Sequence, residues 1–120
     1  MAKHNIIGKD GEKLALTYLE KENYTIIETN WRYKHLEIDI ITIKESVLCF
    51  IEVKTRSSSN YGEPYLALTK SKQKNILLAA NHYIEKNQID LEIRFDLITI
   101  TVNKNPPLVH YKSIFEPFQF

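Results

Sequence analysis

The stretch "LEIDIITIKESVLCFIEVKTR", residues 36 to 56, constrains this chain more than any other. Two apolar, β-branched runs flank the short polar segment Lys44, Glu45 and Ser46, which is the signature of a β-hairpin. Each run carries charges at the end far from the turn: Glu37 and Asp39 on the first, Glu52 and Lys54 on the second. Side chains two apart on a strand share a face. An even loop, Glu45–Ser46 or Lys44–Val47, sets Asp39 opposite Glu52 and Glu37 opposite Lys54, with Ile41 against Phe50 and Ile43 against Leu48. An odd loop opposes Asp39 to Ile51, a poorer pairing. The even register is therefore expected, and directly opposed Cβ atoms lie about 4.5–5.5 Å apart.

Two carboxylates that close repel, so at neutral pH they share a proton or bind a cation. Hard divalent cations prefer carboxylate oxygens, and Mg²⁺ keeps positions for water and a phosphate oxygen. Lys54 follows Glu52 on the same face, where its ammonium can orient water or offset charge on a phosphorus centre. The chemistry implied is phosphodiester hydrolysis. Against it stands the ordinary meaning of Glu-x-Lys, which is usually a solvated strand face. The strands here are too apolar on both faces to be a simple solvated edge.

The rest of the chain supplies a scaffold for that hairpin. Residues 5–22 read as an amphipathic helix through Leu14, Ala15, Tyr18 and Leu19. "YTIIETNWR" (24–32) is a first strand. "SSSNYGEPY" (57–65) has loop composition. A second helix is expected over 69–86, with Thr69 as N-cap and an apolar face of Ile76, Leu77, Ala80, Tyr83 and Ile84. "LEIRFDLITITV" (91–102) is a fourth strand, and "LVHYKS" (108–113) a short edge strand. The order is αβββαβ(β): an α/β fold with one mixed sheet flanked by helices, in a single domain over residues 1–120.

Composition limits the partners. A net charge of +1 excludes a globally basic nucleic-acid binder, so any such surface is a local patch. The lone cysteine, Cys49, excludes an intrachain disulfide and a cysteine zinc cluster, and fits a reducing, cytoplasmic setting. No run approaches the roughly 20 apolar residues of a membrane span, and none has signal-peptide length. His4, His35, His82 and His110 show no metal-ligand spacing.

Asp39, followed a dozen residues on by Glu-x-Lys on the next strand, resembles the PD-(D/E)XK nuclease superfamily and its restriction-endonuclease-like αβββαβ core. A closer resemblance is to the bacterial YraN-like family of uncharacterised, endonuclease-like proteins, related to Holliday-junction resolvases. It is carried by "GKDGEKLALTYL" (8–19), "NWR" (30–32), "EIDII" (37–41), "FIEVKTR" (50–56), "YGEP" (61–64), "KSKQKNILLAANHYI" (70–84) and "RFDLITI" (94–100). The resemblance implies Asp39 and Glu52 as metal-binding acids for Mg²⁺ (or Mn²⁺), the Val53 carbonyl completing coordination, and Lys54 as the catalytic lysine. It also implies Glu12 as an acid that holds metal-bound water. Leu36 stands where the family often has Gly, and Ile38 where the superfamily has Pro.

Around these residues, Arg56, Lys70, Lys72, Gln73 and Lys74 are candidate phosphate contacts. Three cations opening a helix oppose its dipole, and a bound phosphate reverses that penalty. Tyr61 and Tyr65 could stack on unpaired bases. Glu37 is expected to support the site by pairing with Lys54 or Arg32, and Asp96 to be structural, paired with Arg94 or a helix donor. The expected activity is that of a metal-dependent nuclease acting on DNA, with a branched or repair intermediate as one substrate form. One rival is a non-catalytic nucleic-acid-binding module of the same fold, for which a homodimer would enlarge a small surface. The other is an accessory protein that docks a partner through its aromatic tail "IFEPFQF".

Overall fold

The computed structural model describes residues 2–57 and 64–117, with side chains described over 10–57 and 66–117. Helix α1 (Ala2–Lys21) precedes strands β1 (Thr25–Tyr33), β2 (Leu36–Lys44) and β3 (Val47–Arg56). A 3₁₀ turn (Pro64–Ala67), helix α2 (Lys70–Lys86), β4 (Glu92–Thr101) and β5 (Leu108–Phe115) follow. The strands form one sheet in the order β1-β2-β3-β4-β5. All neighbours run antiparallel except β3 and β4, which are parallel. A parallel pair needs a long crossover, and α2 lies within that connection. The αβββαβ(β) reading therefore holds. α1 begins before the expected residue 5, and β5 is a full eight-residue edge strand. Among the described residues no helix is long and apolar enough to cross a membrane.

Two apolar layers cover the two faces. Leu48, Phe50, Phe95, Leu97 and Ile38 pack with Ile76, Ala79, Ala80 and Tyr83 of α2. Cys49, Ile51, Ile98, Ile100 and Ile40 pack with Ala15 and Leu19 of α1. The period-2 alternation of β3 thus feeds both cores at once, which is why its sequence is apolar without interruption from Val47 to Ile51. Helix α2 starts where expected: Oγ1 of Thr69 accepts the Lys72 N–H at 3.2 Å.

The hairpin adopts the even register, Ile43 against Leu48, Ile41 against Phe50 and Ile40 against Ile51. Its two-residue loop places Glu45 and Ser46 at φ 50° and 65°. Two consecutive positive φ values characterise the I′ turn, whose twist matches that of paired strands.

Gly11 marks the close approach of α1 to the sheet. A Cβ there would collide with Thr55 Oγ1. Gly11→Ala is expected to destabilise by about 1–3 kcal/mol through overpacking. Thr55→Ala, which removes that oxygen, should recover most of the loss. Equal losses in the single and double variants, measured by urea unfolding, would place the cost elsewhere.

Candidate active site

The apolar alternation breaks at Asp39. Ile38 packs in the α2-side core and Ile40 in the α1-side core, although residues two apart on a regular strand share a face. The β1–β2 ladder has no pair at Asn30 and Asp39, and Asn30 takes φ 50°. The β2–β3 ladder ends at Ile40/Ile51, one step short of Asp39/Glu52. This corrects the expectation of a regular backbone pair at 39/52. The strands part there, and the Asp39 side chain fills the opening, its Oδ2 accepting the Val53 N–H at 2.8 Å. A backbone donor that the ladder would have used is satisfied by a carboxylate.

Glu52 and Lys54 continue the α2-facing row of Leu48 and Phe50, so they point toward the start of α2. Lys72 Nζ lies 3.9 Å from Glu52 Oε2. The carboxyls of Asp39 and Glu52 hydrogen-bond to one another. Burial first, and then the charge of Asp39, push Glu52 up from 4.5 to about 8. The two carboxyls titrate together, and at neutral pH they hold one proton between them in that hydrogen bond. Asp39 is itself raised by burial, against the opposing pull of the Val53 N–H and Glu52. Lys54 is lowered by burial and by its hydrogen bond to, and repulsion from, Lys72.

Glu12 reaches the same locus from α1. Its pKa is raised by burial and by Asp39, while a hydrogen bond with Asn30 opposes the rise. Because α1 starts at Ala2, Glu12 sits mid-helix, where the dipole offers an acid nothing. The left-handed Asn30 thus brackets the acids from β1, a role its place in "TNWR" did not disclose. Glu37 lies opposite Arg32 in the β1–β2 ladder and pairs with it, Oε2 to Nε 3.5 Å. Of its two expected partners it takes Arg32.

The candidate phosphate contacts divide. Lys72 turns inward to Glu52 and Lys54. Gln73 Nε2 donates to the Leu68 carbonyl at 2.9 Å, so that donor ties the 3₁₀ turn to α2. Lys70 and Lys74 lie on the exposed start of α2, and Arg56 is half-buried at the end of β3. A cleft of about 330 Å³ opens at Lys54, between Lys54, Thr55 and Arg56 of β3 and Leu66 and Ala67 of the turn. Tyr61 and the side chain of Tyr65 lie outside the described residues.

For a divalent cation the donor set fits in one respect. Two half-buried carboxyls that hold a proton between them form a site where a cation can replace that proton. Among the described residues no three His, Cys, Asp or Glu side chains converge as a cage. Any cation here would keep waters in its shell, as Mg²⁺ commonly does.

The proton on Glu52 has a cost for folding. An unfolded glutamate ionises above about 4.5, whereas this one stays protonated to about 8. Stability is therefore unaffected below about pH 4 and falls as pH rises toward 8, by on the order of 3 kcal/mol at pH 7. Glu52→Gln keeps a donor for Asp39 without the titration. It is expected to be about 1–3 kcal/mol more stable than the parent at pH 7 and equal to it at pH 4. Denaturant titrations of metal-free protein at both pH values check this, and an equal gain at both would refute the assignment.

Comparison with known proteins places this architecture. The pattern of the uncharacterised protein family UPF0102 matches residues 11–100. A UPF0102 protein of Flavobacterium psychrophilum is 43% identical over 98% of this chain and 100% of its own length. One from Bacteroides fragilis is 42% identical over 98% of both chains. One from Geobacter metallireducens is 44% identical over 97% of this chain and 98% of its own. The matched span holds Glu12, the parted strands at Asp39, and the Glu52-x-Lys54 row together, and the chain belongs to family UPF0102, the YraN-like proteins.

Proposed function

We propose that this protein is a metal-dependent nuclease that hydrolyses DNA phosphodiester bonds in a cytoplasmic setting, with branched or repair intermediates among its substrates. The observation that carries the reading is the hydrogen-bonded pair of half-buried carboxyls, Asp39 and Glu52, with Lys54 on the row of Glu52. Buried like charges are expensive to keep, and strongly perturbed groups beside an open cleft mark functional sites.

In this reading Asp39 and Glu52 hold Mg²⁺ or Mn²⁺, with the Val53 carbonyl as a further donor. The bound cation would supply charge to polarise the phosphate and lower the pKa of water. The protein's own groups do the rest. Val53 N–H fixes the Asp39 carboxylate through Oδ2. Lys54, held below its usual pKa by burial and Lys72, can pass a proton or offset charge at the reacting phosphate. Glu12 stands across from Asp39 as a second acceptor that can orient water. The cleft next to Lys54 and Arg56 offers the neighbouring strand cations along one wall and Leu66 and Ala67 along the other.

The rival reading is a nucleic-acid-binding module of the same fold without catalysis. A titration of Mg²⁺ and Mn²⁺ against single-stranded, duplex, flap and four-way DNA separates the two. Metal-dependent cutting of any of them that EDTA stops is expected. Salt-sensitive binding with no cutting under any metal would establish the module instead.

A further inference from the structure

At the other end of the sheet, the hairpin turn, β4 and β5 enclose a second cavity of about 290 Å³. It is lined by Tyr24, Lys44, Glu45, Val47, Arg94 and Lys112. Val47 opens β3 and Glu52 lies five residues on, so this cavity is about 16 Å from the acid pair at about 3.3 Å per residue. Three cations line it against one carboxylate. Tyr24 is buried, and its ring has Lys44 Nζ at 4.8 Å and Arg94 Cζ at 6.0 Å.

The guanidinium of Arg94 is held rigidly. Nε and Nη2 donate to Asp96 at 2.9 Å each, and Nη2 also donates to Tyr24 Oη at 2.8 Å. Those bonds leave Nη1 as its remaining donor group. Asp96 offsets one positive charge from behind, and the two lysines add theirs from separate strands, Lys44 ending β2 and Lys112 within β5. A fixed planar donor with two flexible ammoniums converging from different elements suits an anion with several acceptor oxygens spread in three dimensions. Roughly nine or ten water volumes of space admit a phosphoryl group with something attached.

The geometry points to a second anion site, in which Lys44, Lys112 and Arg94 hold a phosphoryl group over Tyr24, remote from Asp39 and Glu52. It does not depend on the nuclease reading. The phosphoryl group can belong to a nucleic-acid backbone or to a free phosphate or nucleotide, and one experiment tells these apart.

Amide and side-chain NMR spectra of the full chain in EDTA are followed during titration with inorganic phosphate at constant ionic strength. The same is done with a single-stranded oligonucleotide that lacks terminal phosphates. Phosphate is expected to shift Lys44, Glu45, Arg94 and Lys112, with at least about tenfold weaker affinity in Lys44→Glu/Lys112→Glu. Lys112 is exposed, so Lys112→Glu alone preserves the fold and should show part of the loss. If the oligonucleotide shifts the same residues, and its salt slope falls by about 1.4 in the double variant, the backbone is the ligand. If phosphate alone does so, the ligand is small. Shifts confined to Lys54 and Lys72, or an affinity that ignores both variants, would overturn the site. No cleavage is read, so loss of this site and loss of the nuclease reading are separate results.

Discussion

Asp39→Asn is expected to abolish metal-dependent cleavage, by at least about 10³-fold in kcat, while leaving the fold intact. The two halves of that statement come from different atoms. Asparagine retains an oxygen that can accept the Val53 N–H, now received by Oδ2 at 2.8 Å, so the parted strands keep their bridge. It loses the charge that helps to raise Glu52 and that, in the proposed function, would hold the cation. With Asn at this position Glu52 no longer faces a carboxylate, and its pKa should fall below about 8, burial still holding it above the usual carboxylate value. Lys54→Ala should cost about 10²–10³-fold, as loss of one charge-stabilising group does. Its loss should be smaller because Lys72 stands beside it and is relieved of repulsion. Single-turnover cleavage, with circular dichroism to verify folding, measures both. An Asp39→Asn protein that cuts at the parental rate would remove the basis for assigning chemistry to this pair.

The largest effect on stability is expected at Asp96, far from the acid pair. Its side chain is 0% exposed. Arg94 donates to both its oxygens, His110 Nε2 lies 2.7 Å from Oδ2, and the Ser113 N–H reaches Oδ1 at 3.0 Å. His110 Nδ1 in turn meets Tyr18 Oη at 2.8 Å, so the network ties α1 to β4 and β5. The β4–β5 register shifts between Phe95 and Leu97, which frees Ser113 N–H, at φ 53°, for the carboxylate. Burial alone would raise Asp96, but His110, Arg94 and Ser113 together hold it below the usual carboxylate range. Asp96→Ala leaves Arg94 and His110 without their acceptor and is expected to cost about 3–5 kcal/mol. For a domain of 120 residues that is roughly 12–20 °C in Tm. The sign with pH follows from a depressed acid. Its contribution is complete above the unfolded value near 3.9 and disappears as pH falls through the lower folded value. Thermal scans from pH 7 to pH 2 should show the parent converging on the variant only in acid. A parallel decline of both proteins would show that Asp96 does not supply the acid limb.

Much of this was legible in the chain itself. The even register of the hairpin followed from apolar matching, because a one-residue slip would turn Ile41 and Phe50 away from their layer. The Thr69 cap, the apolar face of α2 and the pairing of Asp96 with Arg94 were local in the same sense: each is set by spacing of a few residues. The roles of His110 and Tyr18 were not legible, since 92 residues separate two groups that share one hydrogen bond. Nor was Lys72's inward turn, which depends on how α2 lies over β3.

The sequence alone determined the order of elements, the pairing of β2 with β3, and the presence of Asp39, Glu52 and Lys54 at one end of that pair. Only the tertiary structure decided how the acids meet. The strands part at Asp39, so its carboxyl enters the opening, where it accepts the Val53 N–H and shares a hydrogen bond with the Glu52 carboxyl. Periodicity assigns faces on the premise of an unbroken pleat. Where two cores pull Ile38 and Ile40 to opposite sides, that premise fails, and the balance of packing on both faces positions the acid between them.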